Sequence, residues 1–142
     1  MALYPCKTKG GLGTETVLWT NPNPNAEFGY TVVTLSAPIT SFDMLAIEFK
    51  VGTSSSSRTG KVYLDVTQFR SNYGNADSGT WCRLAFGTYA SNYSNSHNYV
   101  RTALYKSDTQ IQFNSSLYND YQVSADKYNT ANIPTKIIGI NF

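Results

Sequence analysis

The sequence has 142 residues, of which 41% are hydrophobic and 14% charged, enough for one domain with its own core and too apolar for a disordered chain. Eleven basic and nine acidic residues leave a net charge of +2. They are scattered, so no basic stripe points to nucleic acid, and no apolar run reaches the length needed to insert into a membrane.

The opening MALYPCKTKGG lacks the continuous apolar stretch of a secretory leader, which predicts a protein made in the cytoplasm. Gly10, Gly11 and Gly13 loosen this stretch, so residues 1–14 read as a flexible N-terminal arm and residues 15–142 as a single domain. Glu15–Thr20 is the first strand candidate, and it stops at Asn21-Pro22-Asn23-Pro24-Asn25, where neither proline can donate to a ladder. Tyr30–Leu35 is the second. In Asp43–Val51, Leu45, Ile47, Phe49 and Val51 alternate with Met44, Ala46, Glu48 and Lys50. Gly52–Gly60, with four consecutive serines, then reads as a solvated loop.

Lys61–Phe69 repeats the alternation, with Val62, Leu64 and Val66 on one face. Trp81–Tyr89 does so through Cys82, Leu84 and Phe86. Tyr99–Lys106 sets Val100, Thr102 and Leu104 against Tyr99, Arg101, Ala103 and Tyr105. Gln110–Asn114 and Lys136–Phe142 complete the set. Period-two patterning of this kind marks strands with one buried face. The fold expected is all-β: an antiparallel, jelly-roll-like β-sandwich of about eight strands with almost no helix.

Catalytic patterns are missing. His97 is the single histidine, and it stands in a polar loop, which removes any site needing two imidazoles. There is no Gly-x-Ser-x-Gly elbow, and Cys82 sits within an apolar alternation where it acts as a small hydrophobe. Asp77, Asp120 and Asp126 fall in loops without the oxygen-ligand spacing of a calcium site. No enzyme activity, cofactor or metal is expected. Cys6 and Cys82 are expected as free thiols in a chain whose core needs no disulfide, although their pairing stays open.

The connections carry the functional expectation. Ser71–Gly79, Ser91–Asn98 and the long Ser115–Asn132 are rich in Tyr, Asn and Ser. Those residues suit adaptable recognition, because tyrosine gives rigid contact area and asparagine both donates and accepts. In an up-and-down strand series, Gly52–Gly60, Ser91–Asn98 and Ser115–Asn132 emerge at one end, and Ser71–Gly79 at the other. The three-loop end therefore supplies the candidate binding residues: Tyr93, Asn95, His97, Tyr118, Asn119, Asp120 and Tyr121.

Leu18-Trp19-Thr20-Asn21-Pro22-Asn23-Pro24, Phe28, Thr34-Leu35 and Asp43-Met44-Leu45-Ala46-Ile47-Glu48-Phe49-Lys50, with the ending Ile133-Pro134-Thr135-Lys136-Ile137-Ile138-Gly139-Ile140, carry a resemblance. From Thr16 onward the chain resembles a β-domain of structural proteins of tailed bacteriophages, often found at the C-terminal end of tail or fibre proteins. The resemblance implies a virion-surface protein made in the host cytoplasm. Its implied role is host attachment through a surface receptor or glycan, or alternatively decoration or capping of the capsid or tail. It implies contacts with other virion structural proteins and a homotrimer, and it assigns no catalytic residue.

Overall fold

The computed structural model describes residues 13–71, 82–84, 89–90, 96–97, 99–118 and 129–142, with backbone only for 82–84, 89–90, 96–97 and 117–118. Two antiparallel sheets face each other across an apolar core. The first holds β1 (Thr14–Thr20), β11 (Ile133–Asn141), β3 (Met44–Lys50) and β4 (Thr59–Asp65), in that order. The second holds β8 (Tyr99–Ser107), β9 (Gln110–Phe113) and β2 (Thr31–Thr34), with β5 (Cys82–Leu84) also paired to β8. After Phe113 the chain returns to β8 as β10 (Leu117–Tyr118), opposite Val100 and Tyr99. β6 (Tyr89–Ala90) and β7 (Ser96–His97) form a separate two-residue ribbon.

Eleven strands are thus described, and the eight with three or more residues correspond to the eight sequence candidates. The outer pairs join distant parts of the chain, β1 with the last strand and β2 with β9, while β3–β4 and β8–β9 are hairpins within one sheet each. Leu18, Leu45, Ile47, Phe49 and Ile137 from the first sheet meet Val33, Ala103, Ile111 and Phe113 from the second. Trp19 packs on Phe28 and Phe113 with ring centroids 6.1 and 6.0 Å away, an aromatic trio that closes one end of the core. Edge-on and tilted rings of this kind add to the burial of their area.

Two expectations are corrected. The alternation through Lys61–Phe69 does not stay extended: β4 ends at Asp65, and Val66–Arg70 forms a one-turn helix, α1. The Asp65 carboxylate accepts the Gln68 N–H at 2.9 Å, satisfying an orphan donor at the helix start, and Val66 and Phe69 both turn inward. The spacing Asp65-x-x-Gln68 is a helix-start signal that period-two counting passes over. The final strand begins at Ile133 rather than Lys136, because the register shift between Pro134 and Lys136 lets the proline sit in the ladder. In β8, where alternation leaves open which face is inward, Arg101 and Ala103 are fully buried, and Val100, Thr102 and Leu104 are only half-buried. The proposed face of Cys82, Leu84 and Phe86 lies outside the described side chains, as does the arm through residue 12.

Candidate functional site at the loop end

Four connections share one end of the sandwich. β3 stops at Lys50 opposite Thr59 and Ile133, β8 starts at Tyr99 opposite Tyr118, and β1 stops at Thr20 opposite Lys136. The segments 21–30 and 51–58, the run into Tyr99 and the run from Tyr118 to Asn129 therefore have their roots together. α1, Ser71 and the β8–β9 turn at Asp108 belong to the other end, where Arg70 Nε bonds Asp108 at 2.8 Å.

The roots are tied by buried polar side chains rather than by apolar ones. Arg101, fully buried, extends inward from β8. Its Nε donates to the Asn132 carbonyl at 2.7 Å, Nη1 to the Asn114 carbonyl at 2.8 Å and Nη2 to the Ala131 carbonyl at 3.0 Å. The guanidinium also lies 5.3 Å from the centre of the Phe28 ring, within cation–π range. Among the described residues no carboxylate pairs with it. Burial alone pulls its pKa down to about 10, which still leaves it charged at neutral pH.

Asn132 is the hub of this arrangement. Its N–H donates to the Val51 carbonyl at 3.1 Å, its side-chain amide donates to the Tyr99 carbonyl, and its own carbonyl receives Arg101. Its φ of 50° is left-handed, a conformation that asparagine tolerates better than most residues. Asn21 plays a parallel part for the Asn-Pro-Asn-Pro-Asn turn. Its amide donates to the Pro134 carbonyl at 2.8 Å, and its side-chain oxygen accepts the Asn23 N–H at 2.8 Å. The Phe28 N–H reaches the Asn129 carbonyl at 2.9 Å, and buried Lys50 bonds the Asn25 side chain.

Among the described residues, two buried atoms at this end have no partner, Ser116 Oγ and Asn129 Oδ1. A buried hydroxyl without a hydrogen bond costs about 1–3 kcal/mol, so Ser116→Ala should leave stability unchanged or raise it by about 1 kcal/mol. Urea denaturation reads this directly, and a loss above about 1 kcal/mol would show that the hydroxyl has a partner after all.

Of the sequence candidates, Tyr93, Asn95, Asn119, Asp120 and Tyr121 lie outside the described residues. The backbone of Tyr118 pairs with Tyr99, two residues beyond His97, and His97 pairs with Tyr89. The supporting residues Arg101, Asn132, Asn21 and Lys50 escaped sequence reasoning. The one available signal was Arg101, a charge amid the alternation of β8.

The opposite end offers a shallow depression of about 450 Å³ lined by Thr67, Arg70, Ser71 and Tyr105. Its charged groups satisfy each other. Asp108 accepts from Tyr105 Oη at 2.6 Å and from Arg70 Nε, and these bonds, Tyr105's foremost, hold its carboxyl below the usual carboxylate range. Among the described residues no three His, Cys, Asp or Glu side chains gather to hold a metal ion. No known protein family matches the sequence, and no curated protein is similar to it.

Proposed function

We propose that this chain is a non-catalytic binding module of a bacteriophage virion surface, and that it attaches to a host receptor or glycan through the loop end of its sandwich. The virion setting rests on the resemblance of the Leu-Trp-Thr-Asn-Pro opening and the Ile-Pro-Thr-Lys-Ile ending. The single supporting observation for the site is the Arg101–Asn132 hub, which holds the roots of the Tyr/Asn-rich connections. Recognition loops work when a rigid scaffold fixes their take-off points, because less freedom is lost on binding. Desolvated, fully engaged polar groups fix such points in one geometry, where apolar packing allows several.

Tyr93 and Tyr118 are the aromatic contacts of this reading, with Asn95, His97, Asn119, Asp120 and Tyr121 supplying polar ones. The test is binding of the purified protein to host cells and to a glycan array, alongside a Tyr93→Ala/Tyr118→Ala variant. Loss of the two aromatic anchors should weaken binding by at least about tenfold, since anchors of this type contribute upwards of 1 kcal/mol each. Thermal unfolding of the variant should match that of the parent. Undiminished binding by a folded variant removes the site. A position on the capsid or collar, seen by microscopy of the particle, favours decoration over attachment.

A further inference from the structure

The depression at the end away from the loop roots is lined by Thr67, Arg70, Ser71 and Tyr105. Its volume of about 450 Å³ lies within the range of small-ligand pockets. Three of the four lining residues come from a single helical turn. Thr67, Arg70 and Ser71 stand at i, i+3 and i+4, which is one face of α1 and its C-cap, while Val66 and Phe69 are buried on the other. All three are exposed to solvent. Tyr105 comes from β8. Its ring stands edge-on to Phe69, with centroids 6.1 Å apart, which fixes its orientation.

Internal bonds decide what each group offers a ligand. Ser71 donates its hydroxyl proton to the Gln68 carbonyl at 2.8 Å, so its oxygen serves the depression only as an acceptor. Its N–H reaches the Thr67 and Gln68 carbonyls, each at 3.2 Å, and holds it in place. Tyr105 gives its proton to Asp108 at 2.6 Å. Arg70 can only donate, and its charge is balanced by the Asp108 carboxylate 2.8 Å from Nε. The Thr67 hydroxyl works in either sense. The depression is therefore neutral as a whole, with donors, acceptors and one aromatic ring. An anion would compete with Asp108 for Arg70, and a cation would meet the guanidinium. A neutral sugar suits all four residues, because its hydroxyls both donate and accept and its C–H face packs on an aromatic ring.

We propose that Thr67, Arg70, Ser71 and Tyr105 form a second binding site, for a single neutral sugar ring, at the end of the sandwich opposite the loop roots. It is independent of what the loop end binds.

Titration of the full-length protein with glucose, galactose, mannose and N-acetylglucosamine, followed by amide NMR, tests the site. At least one of the four should shift the signals of Thr67–Ser71 and Tyr105 saturably, with a Kd in the millimolar range. Arg70→Met removes the charged donor, and Thr67→Phe fills the depression from an exposed position. Each should weaken binding by at least about tenfold while thermal unfolding stays as in the parent. The Tyr93→Ala/Tyr118→Ala variant should bind the sugar as the parent does, which separates this site from the loop end. No saturable shift with any of the four sugars overturns the proposal. So do shifts that survive both depression variants, or shifts that Tyr93→Ala/Tyr118→Ala abolishes. Tighter binding of N-acetylneuraminic acid or glucosamine, which carry a charge, overturns the neutral-sugar assignment.

Discussion

Gly139→Ala should destabilise the fold by about 1–3 kcal/mol, and by more if the strand has to shift, because the methyl group has nowhere to go. Gly139 sits in β11 between Thr16 and Leu45, facing the core, and the Phe42 ring lies flat against it. A Cβ at this position would be 2.5 Å from two ring atoms and 2.7 Å from a third. A ring at the end of a free side chain could swing away, but Phe42 is held from both sides. Its N–H closes the 3₁₀ turn Ile39–Ser41 by bonding the Ile39 carbonyl at 3.0 Å. The next residue, Asp43, donates its N–H to the Ile140 carbonyl at 2.9 Å, so the backbone on each side is fixed. The ring itself packs on the main core. Urea denaturation should show a lowered midpoint with little change in slope. In a double-mutant cycle, Phe42→Leu should cost less in the Gly139→Ala protein than in the parent, since the smaller side chain makes room for the methyl. Additive costs would mean that the ring moves freely and the contact is not tight.

How much of this was legible beforehand depends on what decides each residue's direction. Leu45, Ile47 and Phe49 are legible as one inward face, since strand alternation leaves a core-facing residue no other choice. The same alternation presents Ala46 as an outward residue, and outward it is, yet it is fully buried, which alternation alone does not encode. Alternation places Val66 on the face of Val62 and Leu64, and it is inward, but from a helical turn, because Asp65 and Gln68 offer the backbone a local bond that a strand cannot match. The loop end resisted reading for a different reason. Its shape rests on backbone carbonyls of Ala131, Asn132 and Asn114, which converge on Arg101 from separate parts of the chain. Carbonyl groups are the same in every residue, so their meeting leaves no trace in composition or spacing.

Arg101 is therefore where substitution should reach furthest, affecting stability and recognition together. Arg101→Ala should cost about 3–5 kcal/mol, since it strands buried carbonyls and opens a cavity beside Phe28. Arg101→Met restores volume and avoids burying a charge, but leaves the same carbonyls without donors, so it should still be destabilising. Arg101→Lys keeps the charge and loses the fork. One ammonium cannot span acceptors that Nε, Nη1 and Nη2 now serve separately, and about half the cost of the alanine variant is expected. The order parent, Lys, then Ala identifies the guanidinium as the strut, and a methionine variant as stable as the parent would reject that role. pH gives a second handle. Burial lowers the folded-state pKa of the guanidinium to about 10, below its unfolded value. Below about 10 both states are charged, and the cost of burying the charge is present in full. As pH rises past that point the folded protein releases its proton first. The unfolded state then holds more protons, and stability gains by up to about 1.4 kcal/mol per pH unit relative to the methionine variant. The stability gap between parent and Arg101→Met should thus be flat from pH 6 to 9 and widen above it. Because the same three carbonyls fix the roots of the recognition loops, Arg101→Lys should lose receptor binding at temperatures where it remains folded. A folded lysine variant that binds like the parent would separate the strut from the function proposed for the loops it holds.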